Sequence, residues 1–193
     1  MNKIKMVFLA LLTIASTGAH AGLSNVYEIY IKNAIGEPLQ ISEVVALSTD
    51  TGADLAYWRD GASAVASSNW SYGSSPLYAI DGVAPGLHPG SIFHSASGDA
   101  DPWLKITLAS PAELDSLTLY GRTDRGYNSR DVYNVFLYDD LGNELFSGSN
   151  YSAFNESYSV TIDFTSPIPE PSTLALMALG LVSVGFAARR RKA

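Results

Sequence analysis

Between its two ends the chain carries short runs in which every second residue is hydrophobic, a period that belongs to strands and not to helices. Leu104, Ile106 and Leu108 alternate with Lys105 and Thr107, and Leu117 and Leu119 with Thr118 and Tyr120. Val135 and Leu137 alternate with Phe136 and Tyr138, and Val160, Ile162 and Phe164 with Thr161 and Asp163. Successive side chains on a strand point to opposite faces, so each run offers one face to a core. Residues 26–31 and 41–47 are further β-branched and aromatic runs. Asp139-Asp140-Leu141-Gly142-Asn143, between two runs, reads as a hairpin turn. Residues 58–93, rich in Ser, Gly and Pro, form the longest irregular stretch in this reading, and long loops often carry function. No long segment has helical apolar spacing. Many short strands joined by polar turns predict an all-β sandwich or jelly roll over residues 22–165.

Composition narrows the functional classes. A length of 193 residues suits one domain plus targeting segments. Hydrophobic residues at 47% against 16% charged are too apolar a mix for a disordered chain. The net charge of -7 argues against nucleic acid, which calls for clustered Lys and Arg. The chain has no cysteine, which excludes disulfides, thiol nucleophiles and Cys-based zinc sites. There is no Gly-x-Ser-x-Gly elbow, no His-Glu-x-x-His and no phosphate-binding Gly-Lys loop. No spacing of Asp and Glu selects a pair for glycoside hydrolysis, so the chain reads as a binding protein and not an enzyme.

The ends are targeting segments. Lys3 and Lys5 precede an apolar run over residues 6–15, and Ala19-His20-Ala21 follows. That order is a secretory signal over residues 1–21, and signal peptidase is expected to cut after Ala21. At the other end Pro169-Glu170-Pro171 is followed by an apolar helix expected over residues 173–188 and a basic end at 189–192. Such a segment orients with its basic cluster on the cytoplasmic side, and this one is short for a stable span. The two prolines block helix extension and leave an extended, accessible backbone.

The tail, residues 166–193, resembles the PEP-CTERM sorting signal in all three parts and their order. The resemblance implies recognition by a membrane protease-transpeptidase, an exosortase, in a Gram-negative-type envelope. It further implies a transient inner-membrane stage, removal of the tail near Pro169-Glu170-Pro171, and delivery to the cell surface or exopolysaccharide matrix.

The middle of the chain carries a second resemblance. Tyr78-Ala79-Ile80-Asp81-Gly82 is followed by Ser91-Ile92-Phe93-His94-Ser95 and then by Asp101-Pro102-Trp103-Leu104. Leu119-Tyr120-Gly121-Arg122-Thr123-Asp124 and Ser129-Arg130 come next. This order resembles the discoidin-like, galactose-binding-like jelly roll, and within it the F-type (fucose-binding) lectins. Leu39-Gln40-Ile41-Ser42-Glu43-Val44 looks like the closing strands of such lectins but stands first, which suggests a circularly rearranged version of the fold.

The resemblance implies a sugar site on His94, Arg122 and Arg130, with Phe93, Tyr127 or Trp70 packing on the sugar. Arg offers a rigid fork of donors to hydroxyls, and His adds one directional bond. Both spacings, His94 to Arg122 and Asp124 to Arg130, are one residue longer than the family pattern. The vicinal cysteines often found between the two Arg positions are replaced near Gly126-Tyr127, and Arg125 competes with Arg130 for the second role. Trp103 is expected in the core. The resemblance also implies a structural calcium ion held by Asp81 and Glu43, with the Ser42 carbonyl as a further ligand. Val83 replaces a polar ligand of that site, and the alternative is that Asp81 only caps its turn.

Overall fold

A computed structural model describes residues 20–70, 73–86, 90–124 and 126–167. Ala21–Ser166 form one compact unit. Arg125, the sorting motif Pro169, Glu170 and Pro171, the expected helix over 173–188 and all but the last two residues of the signal segment lie outside the described residues. Among the described residues no helix is long and apolar enough to cross a membrane.

The described residues are built mainly from strands. In chain order they are β1 (His20–Ala21), β2 (Leu23–Asn33), β3 (Gln40–Ile41), β4 (Glu43–Ser48), β5 (Ser63–Ala66), β6 (Phe93–His94), β7 (Trp103–Tyr120), β8 (Val132–Tyr138), β9 (Glu144–Ser152), β10 (Ser159–Asp163) and β11 (Ser166–Pro167). Three single-turn 3-10 helices, Trp58–Asp60, Pro76–Ala79 and Asn128–Arg130, complete them. The sequence pattern suggests two strands over residues 104–120, but the backbone runs through as one strand of 18 residues, β7. Its middle, Ala109 to Pro111, is exposed, and Pro is tolerated there because this stretch needs no ladder bond.

β7 therefore serves two sets of strands. Its first part pairs with β2 on one edge, Lys32 opposite Trp103, and with β5 on the other, Ala66 opposite Leu104. Its last part pairs with β4, Glu43 opposite Tyr120, and with β10, Ser159 opposite Tyr120. β8 adds to β2, and β9 adds to β8 through the predicted hairpin. The Asp139 carboxylate closes that turn, accepting from the Leu141 and Asn143 backbone N–H groups at 2.9 and 2.8 Å.

One hydrophobic core joins the two sets. Ile29, Ile31, Leu104, Ile106, Val135 and Leu137 come from the first and Val44, Ala46, Leu117 and Leu119 from the second, all fully buried. This is the two-layer sandwich that the period-two pattern requires. Filling such a core accounts for most of the fold's stability, each large side chain contributing about 1.5–3 kcal/mol on burial.

Two expectations need correction. Trp103 is not a core residue: on β7 it alternates with Leu104 and Ile106, which take the inner face. It lies half-buried on the outer face, stacked on Tyr30 with ring centroids 5.4 Å apart. The stretch over 58–93 is not wholly irregular, since β5 adds to the edge of β7 within it.

Candidate functional site

The site is assembled at one end of the sandwich by two short strands and the turn after β7. β3 pairs with β6, so Gln40 stands opposite His94 and Ile41 opposite Phe93. Ser95 locks this pair, accepting from the Leu39 N–H through its hydroxyl and donating its own N–H to the Leu39 carbonyl, both at 2.9 Å. Neighbouring residues on a strand face opposite ways, which sends Phe93 into the core and His94 out to the site. Phe93 is thus excluded as a sugar-packing residue.

His94 Nδ1 lies 2.6 Å from the Ser95 carbonyl, which can only accept, so Nδ1 carries a proton. Trp70 leans on this ring at 5.1 Å between centroids, and its backbone N–H donates to the His94 backbone carbonyl at 2.8 Å. Asp99 anchors the loop before Trp70 by accepting from the Ser67 and Ser68 hydroxyls at 2.5 Å each, which holds its carboxyl below the usual range.

Arg122 follows the end of β7. Its backbone N–H donates to Asp131 Oδ2 at 2.8 Å. Gly121 makes that approach possible, because a Cβ there would stand 2.4 Å from the same carboxylate oxygen. Desolvation pushes the buried Asp131 carboxyl up to about 7 against the opposing pull of the Arg122 N–H. The Arg122 guanidinium is held in a fork: Nε and Nη2 donate to the two Asp124 oxygens, and Nη1 donates to Gln40 Oε1 at 3.3 Å. Gln40 is fully buried, and its backbone carbonyl accepts from the buried Tyr133 hydroxyl at 2.8 Å.

Tyr127 lies beneath both arginines, with its ring 4.5 Å from Arg122 Cζ and 5.2 Å from Arg130 Cζ. Arg130 Nε is 3.2 Å from Glu37 Oε2. A cavity of about 260 Å³ opens between these groups, lined by Pro38, Trp70, His94, Ser97, Arg122, Tyr127 and Arg130. The three polar residues expected to act together, His94, Arg122 and Arg130, therefore share one cavity, and Trp70 and Tyr127 supply its aromatic walls. Gln40, Pro38 and Glu37 were not legible as site residues. The only signal was that Gln40 stands in the string Leu39 to Val44, before the acidic residue of the second site.

That second site lies around the Asp81-Gly82 turn. Glu43 Oε2 accepts from the Gly82 and Val83 N–H groups at 3.0 and 3.2 Å, and Asp81 Oδ1 accepts from Val83 N–H at 3.0 Å. Desolvation, with the Asp81 charge adding to it, pushes the Glu43 carboxyl up to about 8. Glu43 Oε1 and Ser42 Oγ are buried with no hydrogen-bond partner. Two carboxylates and an orphaned carboxylate oxygen suit a hard cation. Among the described residues no group of three or more His, Asp or Glu gathers to hold a metal, so backbone carbonyls or water would have to complete the shell.

An antiparallel β-sandwich with a loop-end pocket defines the class of discoidin-like binding domains. The F5/8 type C domain model matches residues 63–170, more than half of the chain, and the chain belongs to that family. A PEP-CTERM protein-sorting motif matches residues 167–192 and marks the protein for export and surface sorting by an exosortase. No curated protein matches the chain, and no solved structure does.

Proposed function

We propose that this exported protein is a non-catalytic carbohydrate-binding protein of the cell surface or exopolysaccharide matrix, with a fucose-like ligand held by His94, Arg122 and Arg130. The observation that carries the reading is the convergence of His94 with Arg122 and Arg130, which come from a later part of the chain, on one cavity with Trp70 and Tyr127. The chemistry suits a sugar. Three of the five Arg122 N–H groups are bonded to Asp124 and Gln40, which leaves two donors on a guanidinium already fixed in orientation. Orientation fixed beforehand lowers the entropic cost of binding. His94 adds a directional polar contact while sugar oxygens accept from the arginines, and an aromatic wall covers the apolar edge.

A structural calcium ion at Glu43 and Asp81, with Ser42 beside them, fits the same reading. There it would neutralise the buried Glu43 carboxylate and the half-buried Asp81 and brace the Asp81-Gly82 turn. Signal peptidase would release the domain after Ala21, and a transient inner-membrane stage would precede tail removal. The test is a glycan array probed with the full chain and with His94→Ala. Binding to fucosylated glycans by the parent, abolished in a folded His94→Ala variant, is the expected result. No binding by the parent would leave a structural matrix protein with the same fold.

A further inference from the structure

Among the described residues, each of the two arginines that line the pocket is paired with a carboxylate. Asp124 takes two N–H groups of Arg122, and Glu37 pairs with Arg130 Nε at 3.2 Å. The second pairing is built by the loop after β2. Asn33 Oδ1 accepts from the Ile35 and Glu37 N–H groups at 2.9 and 3.0 Å, and Asn33 Nδ2 donates to the Arg130 carbonyl at 2.8 Å. One asparagine thus ties the segment that carries Glu37 to the segment that carries Arg130. The next residue, Pro38, is part of the cavity wall. This loop precedes residues 63–170, which match the family model, so Glu37 lies outside the matched stretch.

We propose that Glu37 is a specificity-determining residue: by matching Arg130 it makes the pocket select uncharged sugars against uronic acids. An unmatched guanidinium attracts a carboxylate through two parallel bonds, the strongest recognition that Arg offers. With a carboxylate already at each arginine, a uronate would meet Glu37 and Asp124 as like charges on entering. An uncharged sugar meets no such repulsion and uses the remaining donors. Discrimination by repulsion of the wrong ligand is a general route to specificity.

The inference rests on the glycan-binding reading, and the experiment separates the two. The full chain, Glu37→Gln and Glu37→Asp are applied in parallel to an array of neutral fucosyl and galactosyl glycans and of glucuronate- and galacturonate-terminated glycans. Glu37 is 44% exposed, so the variants should keep the parent melting midpoint. The parent and Glu37→Asp bind neutral glycans only. Glu37→Gln raises uronate binding relative to neutral binding by about three- to fivefold, the scale of an exposed ion pair, and the gain falls with added salt. An unchanged ratio in Glu37→Gln, with the parent still binding neutral glycans, overturns the role of Glu37 alone. A parent that prefers uronates also overturns it. A parent that binds nothing on the array overturns both readings.

Discussion

Raising the pH from 6 to 8 in the presence of a chelator should destabilise the domain, and Glu43 and Asp131 should be the cause. Both carboxyls are buried, and burial raises them to about 8 and about 7 from values near 4.5 and 3.8. Below the lower value of each group, both folded and unfolded chains are protonated and the stabilising contribution is fully present. Above it the unfolded chain gives up a proton that the folded chain keeps, so each added pH unit favours unfolding. The loss continues until pH passes the folded value. The ceiling is about 1.4 kcal/mol per pH unit for each group that differs by a full proton. Over two units Glu43 alone could remove up to about 3 kcal/mol, or about 6–12 °C of melting midpoint for a domain of this size. Asp131 contributes mainly below pH 7. The assay is thermal unfolding followed by circular dichroism, at intervals from pH 5 to 9, on the parent and Glu43→Gln. The amide cannot ionise but still accepts from the Gly82 and Val83 N–H groups, so the variant should show a clearly shallower slope. Calcium binds only ionised carboxylates well, so it should raise the midpoint more at pH 8 than at pH 6. A parent midpoint that is flat or rises from pH 6 to 8 would refute the reasoning, as would an undiminished slope in Glu43→Gln.

Other consequences are sharper in locality. Gly121→Ala forces a Cβ against the Asp131 carboxylate and should cost about 1–3 kcal/mol in denaturant melts while weakening glycan binding through Arg122. Leu117→Ala, in the middle of the shared core, should cost about 2–5 kcal/mol by chemical denaturation, whereas exposed Leu141→Ala should stay within about 0.5 kcal/mol. Trp70→Ala should weaken glycan binding by about tenfold in titration calorimetry without unfolding the domain, since Trp70 is well exposed and walls the cavity. Replacing Glu170 with Ala should leave a full-length, membrane-retained form on immunoblots; unchanged tail removal would count against recognition through that motif.

The alternation of Leu104, Ile106 and Leu108 and of Val135 and Leu137 was enough to name an all-β sandwich, because burial on one face leaves a period of two in the sequence. That β7 is continuous was not legible. The exposed residues Ala109 to Pro111 look like a loop until both edges of the strand are seen to be paired. Trp103 misled because a large aromatic ahead of a strand suggests a core, while the strand period assigns the inner face to its neighbour Leu104. His94, Arg122 and Arg130 were legible only through a family order of motifs, since nothing in their spacing alone brings them together. The β3–β6 pairing sets Gln40 beside His94, and Gln40 in turn holds Arg122, a contact 82 residues distant in sequence. Glu37 and Pro38 were invisible for the same reason: the pocket wall is made by a segment that precedes the family's own signature.

The most direct test of the account is titration calorimetry of the full chain and of Arg122→Ala with L-fucose. The account predicts saturable binding by the parent at one site and none by a folded Arg122→Ala. A folded parent that gives no heat with fucose or galactose ligands, or an Arg122→Ala variant that binds as well as the parent, would contradict it.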